Sequence, residues 1–320
     1  MTPISNPLAV VFPGQGSQVV GMGRDLAGAY TAAARVFAEV DEALGQNLSQ
    51  LMFEGPQDTL TLTENAQPAL MAVSIAVIRV LAENGFDVLE RASFVAGHSL
   101  GEYSALVAAG TFGLADGARL LKTRGQAMQQ AVLVGEGAMA ALLGLDMDAA
   151  KIVANEAAEG EICTTANDNA PGQVVISGAR TAVERAIVIA KAHGAKRGIL
   201  LPVSAPFHCA LMAPAAKIMA DALAVVRMET PKVPLVANIT AGPVVNAPEI
   251  RRLLVEQVTG MVRWRESVQY MKGEGVEKII EAGSGKVLTG LSRRIDSDLQ
   301  ALSIGTPEDI ATFLEETENV

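Results

Sequence analysis

The sequence predicts an α/β fold in which a parallel sheet, covered by helices on both faces, carries a smaller inserted unit of βαββαβ order. Three observations lead there. Short apolar runs alternate with stretches of helical periodicity, and that alternation builds parallel sheets buried on both sides. The middle of the chain breaks the alternation with two strands in succession, the pattern of a ferredoxin-like unit. With 320 residues, 50% hydrophobic and 19% charged, the chain has material for a sizeable core in one large domain or two.

The elements follow in order. Residues 8–12, LAVVF, form an apolar first strand, and apolar residues at helical spacing predict helices over 32–44 and 68–84. The run Ser93-Phe94-Val95-Ala96 is a strand that feeds a sharp turn and then a helix over 102–109. A further helix covers 116–131, after which Gly135-Glu136-Gly137 punctuates the chain. The inserted unit then reads as strand 138–145, helix 148–159, strands 161–166 and 173–177, helix 181–193 and strand 196–203. From Ser204 the alternation resumes, with strands at 233–236, 276–281 and 299–304. Residues 1–134 and 205–320 therefore form one domain, and 135–204 a subdomain inserted into it. No internal repeat or low-complexity tract interrupts this plan.

Composition excludes several function classes. A net charge of -10 and 4% aromatic residues offer neither the basic face nor the stacking rings of a nucleic-acid binder. Two cysteines, Cys163 and Cys209, make no disulfide framework and match no zinc spacing, and no HExxH or other metal cluster occurs. A reducing compartment fits that usage. Met1 to Pro7 lacks a basic leader segment, and no uninterrupted apolar stretch reaches about 18 residues. Even the apolar stretch 69–81 is broken by Ser74 and Arg79. The expectation is a cytoplasmic chain with no membrane partner.

The chemistry concentrates at Gly97-His98-Ser99-Leu100-Gly101, a G-x-S-x-G elbow between strand and helix, which makes the larger domain α/β hydrolase-like. Glycines on either side let the chain turn tightly so that the Ser99 hydroxyl projects. The helix behind it aims free N–H groups at a developing oxyanion, that of Leu100 first. A serine at neutral pH needs a base, and the chain has three histidines. His98 is adjacent to Ser99, where neighbouring side chains diverge, so it orders the elbow or lines the pocket. His193 closes a helix and reads as a surface cap. His208, in Ser204-Ala205-Pro206-Phe207-His208-Cys209 at the domain junction, stands as either the base or a packed loop histidine.

Four segments, Val11-Phe12-Pro13-Gly14-Gln15-Gly16-Ser17-Gln18, Gly97-His98-Ser99-Leu100-Gly101-Glu102-Tyr103, Arg124-Gly125 and Pro202-Val203-Ser204-Ala205-Pro206-Phe207-His208-Cys209, together resemble the malonyl-CoA:acyl carrier protein transacylases. These are acyltransferases of fatty acid and polyketide synthesis. The likeness runs from Val11 to about Arg294, with the inserted subdomain in its expected place. It implies Ser99 as nucleophile and His208 as general base, with a backbone carbonyl, that of Gln257, in place of a triad carboxylate. It further implies that the backbone N–H of Gln15 joins that of Leu100 in the oxyanion hole, and that Arg124 holds the malonyl carboxylate. Phe207 resembles the bulky residue of members that reject methylmalonyl groups. No bound cofactor is implied; the substrate is a coenzyme A thioester, and the partners are malonyl-CoA and acyl carrier protein.

The residue types suit that chemistry. A serine attacks the thioester carbonyl, a histidine takes its proton and returns it to the departing thiol, and the phosphopantetheine thiol of the carrier then attacks the malonyl-serine ester. A planar guanidinium grips a carboxylate through two parallel N–H bonds, which a lysine cannot do. Considered singly, Arg124 reads as a solvated helix residue and Phe207 as a packed loop residue. Three other functions share some of these features: a thioester hydrolase that passes the acyl group to water, a non-catalytic carrier-docking component of a synthase, and a stand-alone polyketide acyltransferase.

An acidic carrier meeting an acidic chain requires a local basic patch. Lys196, Arg197, Lys286, Arg293 and Arg294 are the candidates, and each reads equally as solvated charge. Two glycine motifs fail. Gly283-Ser284-Gly285-Lys286 stands where relatives often carry a proline between the glycines. It imitates a P-loop, but Val287 replaces the metal-binding hydroxyl and the upstream glycine is missing. Gly14-Gln15-Gly16 imitates a dinucleotide fingerprint, but Val19 holds the third glycine's place.

Overall fold

The computed structural model describes residues 7–318. The stretch Met1 to Pro7, expected from sequence to carry no basic leader segment, falls, apart from Pro7, outside the described residues, as do residues 319–320. In chain order the strands are β1 (Leu8–Phe12), β2 (Ala92–Gly97), β3 (Gly137–Leu143), β4 (Cys163–Ala170), β5 (Gln173–Ala179), β6 (Arg197–Leu200), β7 (Leu235–Val236), β8 (Pro243–Val244), β9 (Lys278–Ala282) and β10 (Gln300–Ile304).

Two sheets result. The larger runs β10-β9-β1-β2-β7-β8, parallel from β10 to β7 and finished by antiparallel β8. All five residues of β1 are buried at its centre, which is why that run is apolar throughout rather than alternating. The smaller sheet, β4-β5-β3-β6, is wholly antiparallel and has the ferredoxin-like strand order. Its helices Met147–Ala158 and Arg180–Ala192 pack on it largely through alanines, among them Ala150, Ala154, Ala182 and Ala186, whose small side chains allow close approach.

Three differences from the sequence expectation bear on the site. The long core helix begins at Thr63 rather than Pro68 and ends at Glu83, so the proline lies inside it. The extra turn is held by polar contacts: Thr63 Oγ1 donates to Gln15 Oε1 at 2.8 Å, and Gln67 Nε2 donates to Thr63 Oγ1 at 2.8 Å. This helix is long and apolar enough to cross a membrane by length and composition, yet 89% of its apolar window is buried within the fold. Strand β6 stops at Leu200, short of the expected 203, because Pro202 has no N–H for the ladder. Strand β4 runs on through Asn167-Asp168-Asn169 by means of two register shifts against β5. Bulges of this kind redirect side chains. Here they coincide with a backbone bridge to the larger domain, Asp168 N–H to Val262 O and Val262 N–H to Ala166 O, each 2.9 Å. The Asp168 carboxylate also grips Arg265 through two nitrogens at 2.8 to 3.0 Å, so the small sheet is anchored to the large domain beside the elbow.

Candidate active site

The elbow is built from contacts that only glycine tolerates. A Cβ at Gly97 would lie 1.9 Å from the carbonyl carbon of Gly101, and one at Gly101 would lie 2.2 Å from the carbonyl oxygen of Phe12. Between them Ser99 adopts φ 54°, the left-handed region that non-glycine residues rarely enter. Asn238, fully buried, clamps the bend from both sides: its Oδ1 accepts from Ser99 N–H at 2.8 Å and its Nδ2 donates to Gly97 O at 2.7 Å.

His208 reaches this serine from 109 positions away, its Nε2 lying 2.7 Å from Ser99 Oγ. Its Nδ1 lies 2.8 Å from the carbonyl oxygen of Gln257 and 3.1 Å from that of Gly260. A carbonyl can only accept, so Nδ1 carries the proton and Nε2 presents its lone pair to the serine hydroxyl. Burial, and then the positive charge of Arg124, push the His208 pKa down to about 3, so the ring is held in its basic, neutral form.

Arg124 is 2% exposed, not solvated. Its Nη1 donates to Gln67 Oε1 at 2.8 Å; its Nη2 donates to Gln257 Oε1 at 2.8 Å and to Ser99 Oγ at 3.1 Å. The neighbouring Gly125 makes this reach possible. A Cβ there would lie 2.4 Å from Glu64 Cα, so glycine lets the helix Leu114–Gln130 press against the core helix.

These groups share a cavity of about 150 Å³, lined by Gln15, Ser99, Leu100, Arg124, Phe207 and His208 from the larger domain and by Met139, Asn167, Asn169 and Val175 from the smaller sheet. An apolar cavity of roughly that volume accommodates benzene, so this one suits a small acyl group. Among the described residues, the backbone N–H groups of Gln15 and Leu100 donate to no protein acceptor. An oxyanion hole requires unengaged donors, and both residues line the cavity with Ser99. His98 lines the same cavity, with its Nε2 2.9 Å from Asn169 Oδ1 and its ring tilted against Trp264 at 5.8 Å, tying the elbow to the bulged strand. His193 lies apart at the end of helix Arg180–Ala192, with its Nε2 3.1 Å from a Glu156 carboxylate oxygen.

The five candidate docking cations are all exposed but do not form one patch. Lys196 and Arg294 line a cavity of about 460 Å³ beside Leu143, Ile199 and Leu201, and Arg197 follows Lys196 on β6. Lys286 lines a different cavity, of about 420 Å³, and Arg293 donates to the Ala301 carbonyl at 2.5 Å. The P-loop likeness at 283–286 also meets a structural obstacle. The helix N–H groups that would cradle phosphate, those of Leu288 and Thr289, already donate to the buried Glu281 carboxylate at 3.1 and 2.7 Å.

Sequence reasoning missed Thr63, Gln67, Asn238, Asn169 and Glu102, all buried or lining the cavity around Ser99. The available signal was polarity out of place, since Thr63 and Gln67 are buried in the long, largely apolar core helix.

An acyl transferase domain matches residues 9–290. The malonyl CoA-acyl carrier protein transacylase of Escherichia coli K12 is 48% identical over 307 residues, 96% of this chain and 98% of its own. The crystal structure of an acyl-carrier-protein S-malonyltransferase from Bartonella henselae has a TM-score of 0.95 at 56% identity, covering 98% of this chain and 99% of its own. A malonyl-transacylase solved in complex with a type II PKS acyl-carrier protein has a TM-score of 0.94 at 44% identity, with 97% and 99% covered. The chain belongs to the acyl transferase family, among the malonyl-CoA:acyl carrier protein transacylases.

Proposed function

We propose that this chain moves a malonyl group from malonyl-CoA to the phosphopantetheine thiol of an acyl carrier protein, through a malonyl ester of Ser99, for fatty acid biosynthesis in the cytoplasm. The observation that carries this reading is the convergence on one hydroxyl: Ser99 Oγ lies 2.7 Å from His208 Nε2 and 3.1 Å from Arg124 Nη2. In the first half-reaction Ser99 Oγ bonds to the thioester carbonyl carbon while its proton passes to His208 Nε2. The oxyanion is held by the N–H groups of Gln15 and Leu100, and its collapse breaks the carbon–sulfur bond as His208 returns the proton to coenzyme A. The second half-reaction runs the same steps in reverse with the carrier thiol as nucleophile. Arg124, held by two amides, pairs with the distal carboxylate, and Phe207 limits room for an α-methyl branch. Residues 1–134 and 205–320 act as the catalytic domain and 135–204 as the inserted subdomain that supplies one wall of the cavity. The carrier docks beside Lys196, Arg197 and Arg294.

The test is exposure of the full chain to an equimolar mixture of acetyl-, malonyl- and methylmalonyl-CoA, followed by intact-mass measurement and peptide mapping. The native chain gains a malonyl adduct on Ser99, and Ser99→Ala gains none. Arg124→Ala loses malonyl preference over acetyl by tens to thousands of fold, the effect of truncating one partner of a buried charge pair. Free malonate released at the transfer rate with carrier present would instead make the chain a hydrolase.

A further inference from the structure

A buried carboxylate that acyl transfer does not use lies beneath the elbow. Glu102, 1% exposed, stands in the first turn of the helix Gly101–Ala108. Its Oε2 accepts from Gln257 Nε2 at 2.5 Å, and the same nitrogen donates to the Ser99 carbonyl at 2.9 Å. The other end of that amide, Oε1, accepts from Arg124 Nη2, and the main-chain carbonyl of Gln257 accepts from His208 Nδ1, both at 2.8 Å. Gln257 thus meets the serine, the base and the carboxylate-binding cation at once.

A side-chain amide is nearly symmetric in shape and can turn over, which here would set N–H against N–H at Arg124 and oxygen against oxygen at Ser99. An ionised carboxylate only accepts. Placed at Nε2, it selects the orientation in which Oε1 faces the guanidinium. We propose that Glu102 is a positioning residue: its carboxylate orients the Gln257 amide, which holds Arg124 and His208 against Ser99, and it is the counter-charge of Arg124 while no acyl carboxylate is bound. This rests on the transferase reading and adds to it a group that competes with the malonyl carboxylate for one guanidinium.

The competition has a pH signature. Burial pushes the Glu102 pKa up to about 7, opposed by the Gln257 hydrogen bond and the Arg124 charge. Arg124 stays charged there, while three other groups nearby stay neutral: burial pushes the Tyr103 phenol up and the His98 ring down, and His208 is held down at about 3. Raising the pH through about 7 ionises Glu102, adds a negative charge near the guanidinium and weakens malonyl binding.

The experiment measures Ser99 loading from malonyl-CoA and from acetyl-CoA by the full chain, Glu102→Ala and Glu102→Gln, between about pH 6 and about pH 8. In the native chain KM for malonyl-CoA rises on the order of tenfold across that range. Glu102→Gln, which keeps an acceptor but no charge, flattens that rise. Glu102→Ala lowers kcat for malonyl loading roughly 10- to 100-fold, and Glu102→Gln recovers part of the loss. A folded Glu102→Ala with native kcat, or a Glu102→Gln that keeps the native pH profile, overturns the proposal. If Glu102→Ala does not fold, the Glu102→Gln profile decides alone. A native chain that loads no malonyl on Ser99 overturns the transferase reading itself, an outcome distinct from either variant result.

Discussion

Ser99 and His208 both hold left-handed backbone conformations, φ 54° and 60°, at a cost of order 1 to 3 kcal/mol each. The strain persists because buried partners over-determine it: Asn238 pins the serine backbone, and two carbonyls pin the imidazole. The same burial makes a prediction about His208. Its pKa is about 3 in the fold, against about 6.5 in an unfolded chain, so the unfolded state takes up a proton that the native state refuses. Native stability therefore falls as pH drops from about 6.5 toward about 3, and the ring stays neutral through the whole neutral range. With three histidines in the chain, nitrogen-15 histidine spectra can follow it directly. The expected result is a His208 ring protonated at Nδ1 whose shifts do not move between about pH 8 and about pH 5; a midpoint near 6.5 would mean a solvated ring. From sequence the elbow was legible in five residues, because it is a local device. The contact of His208 with Ser99 was not separable from a packed loop histidine, because the two lie far apart along the chain. Asn238 and Gln67 were invisible because a single amide carries no spacing pattern.

At the scale of elements, the elbow depends on β1, β2 and the helix Gly101–Ala108 approaching more closely than side chains allow. Gly101→Ala places a methyl 2.2 Å from the Phe12 carbonyl, against backbone that cannot yield without moving the central strand. The expected cost is about 1 to 3 kcal/mol or more in urea unfolding, with loss of transfer. Gly28, in the helix Arg24–Ala29, is the matched control: a Cβ there meets nothing within 4 Å, so Gly28→Ala gains about 0.5 to 1 kcal/mol. Equal effects at the two sites would remove the close-approach account of the elbow. The strand and helix order was legible because apolar runs and helical periodicity are local. What was not legible came from tertiary contacts: the turn before Pro68 is held by Gln15 and Thr63, and the bulged end of β4 by Val262 and Arg265. Asn167-Asp168-Asn169 looks like a strand's end because polar residues in a row ordinarily leave a sheet. Here each is claimed by the site or by the larger domain.

Across the whole molecule, the cavity at Ser99 is lined both by residues around the larger sheet and by residues of the smaller one. The chain carries a net charge of -10, and an acidic carrier would be repelled on average unless a local field favours one approach. Lys196 and Arg294 line one cavity, together with Ile199 and Leu201, and on the proposed docking they are the source of that field. Among the described residues no carboxylate pairs with Lys196, Arg197 or Arg294, so their charge is available to a partner. Reversal of Lys196 and Arg197 to Glu should raise KM for the carrier protein on the order of tenfold at low salt, with Ser99 loading from malonyl-CoA as the reference reaction. The difference should shrink toward 1 M salt, where the screening length falls to about 3 Å. Lys286→Glu should leave the carrier KM within about twofold, because Lys286 lines a different cavity from Lys196 and Arg294. Steady-state transfer assays across a salt series measure all three. An unchanged carrier KM for the double reversal at low salt would place docking elsewhere on the surface.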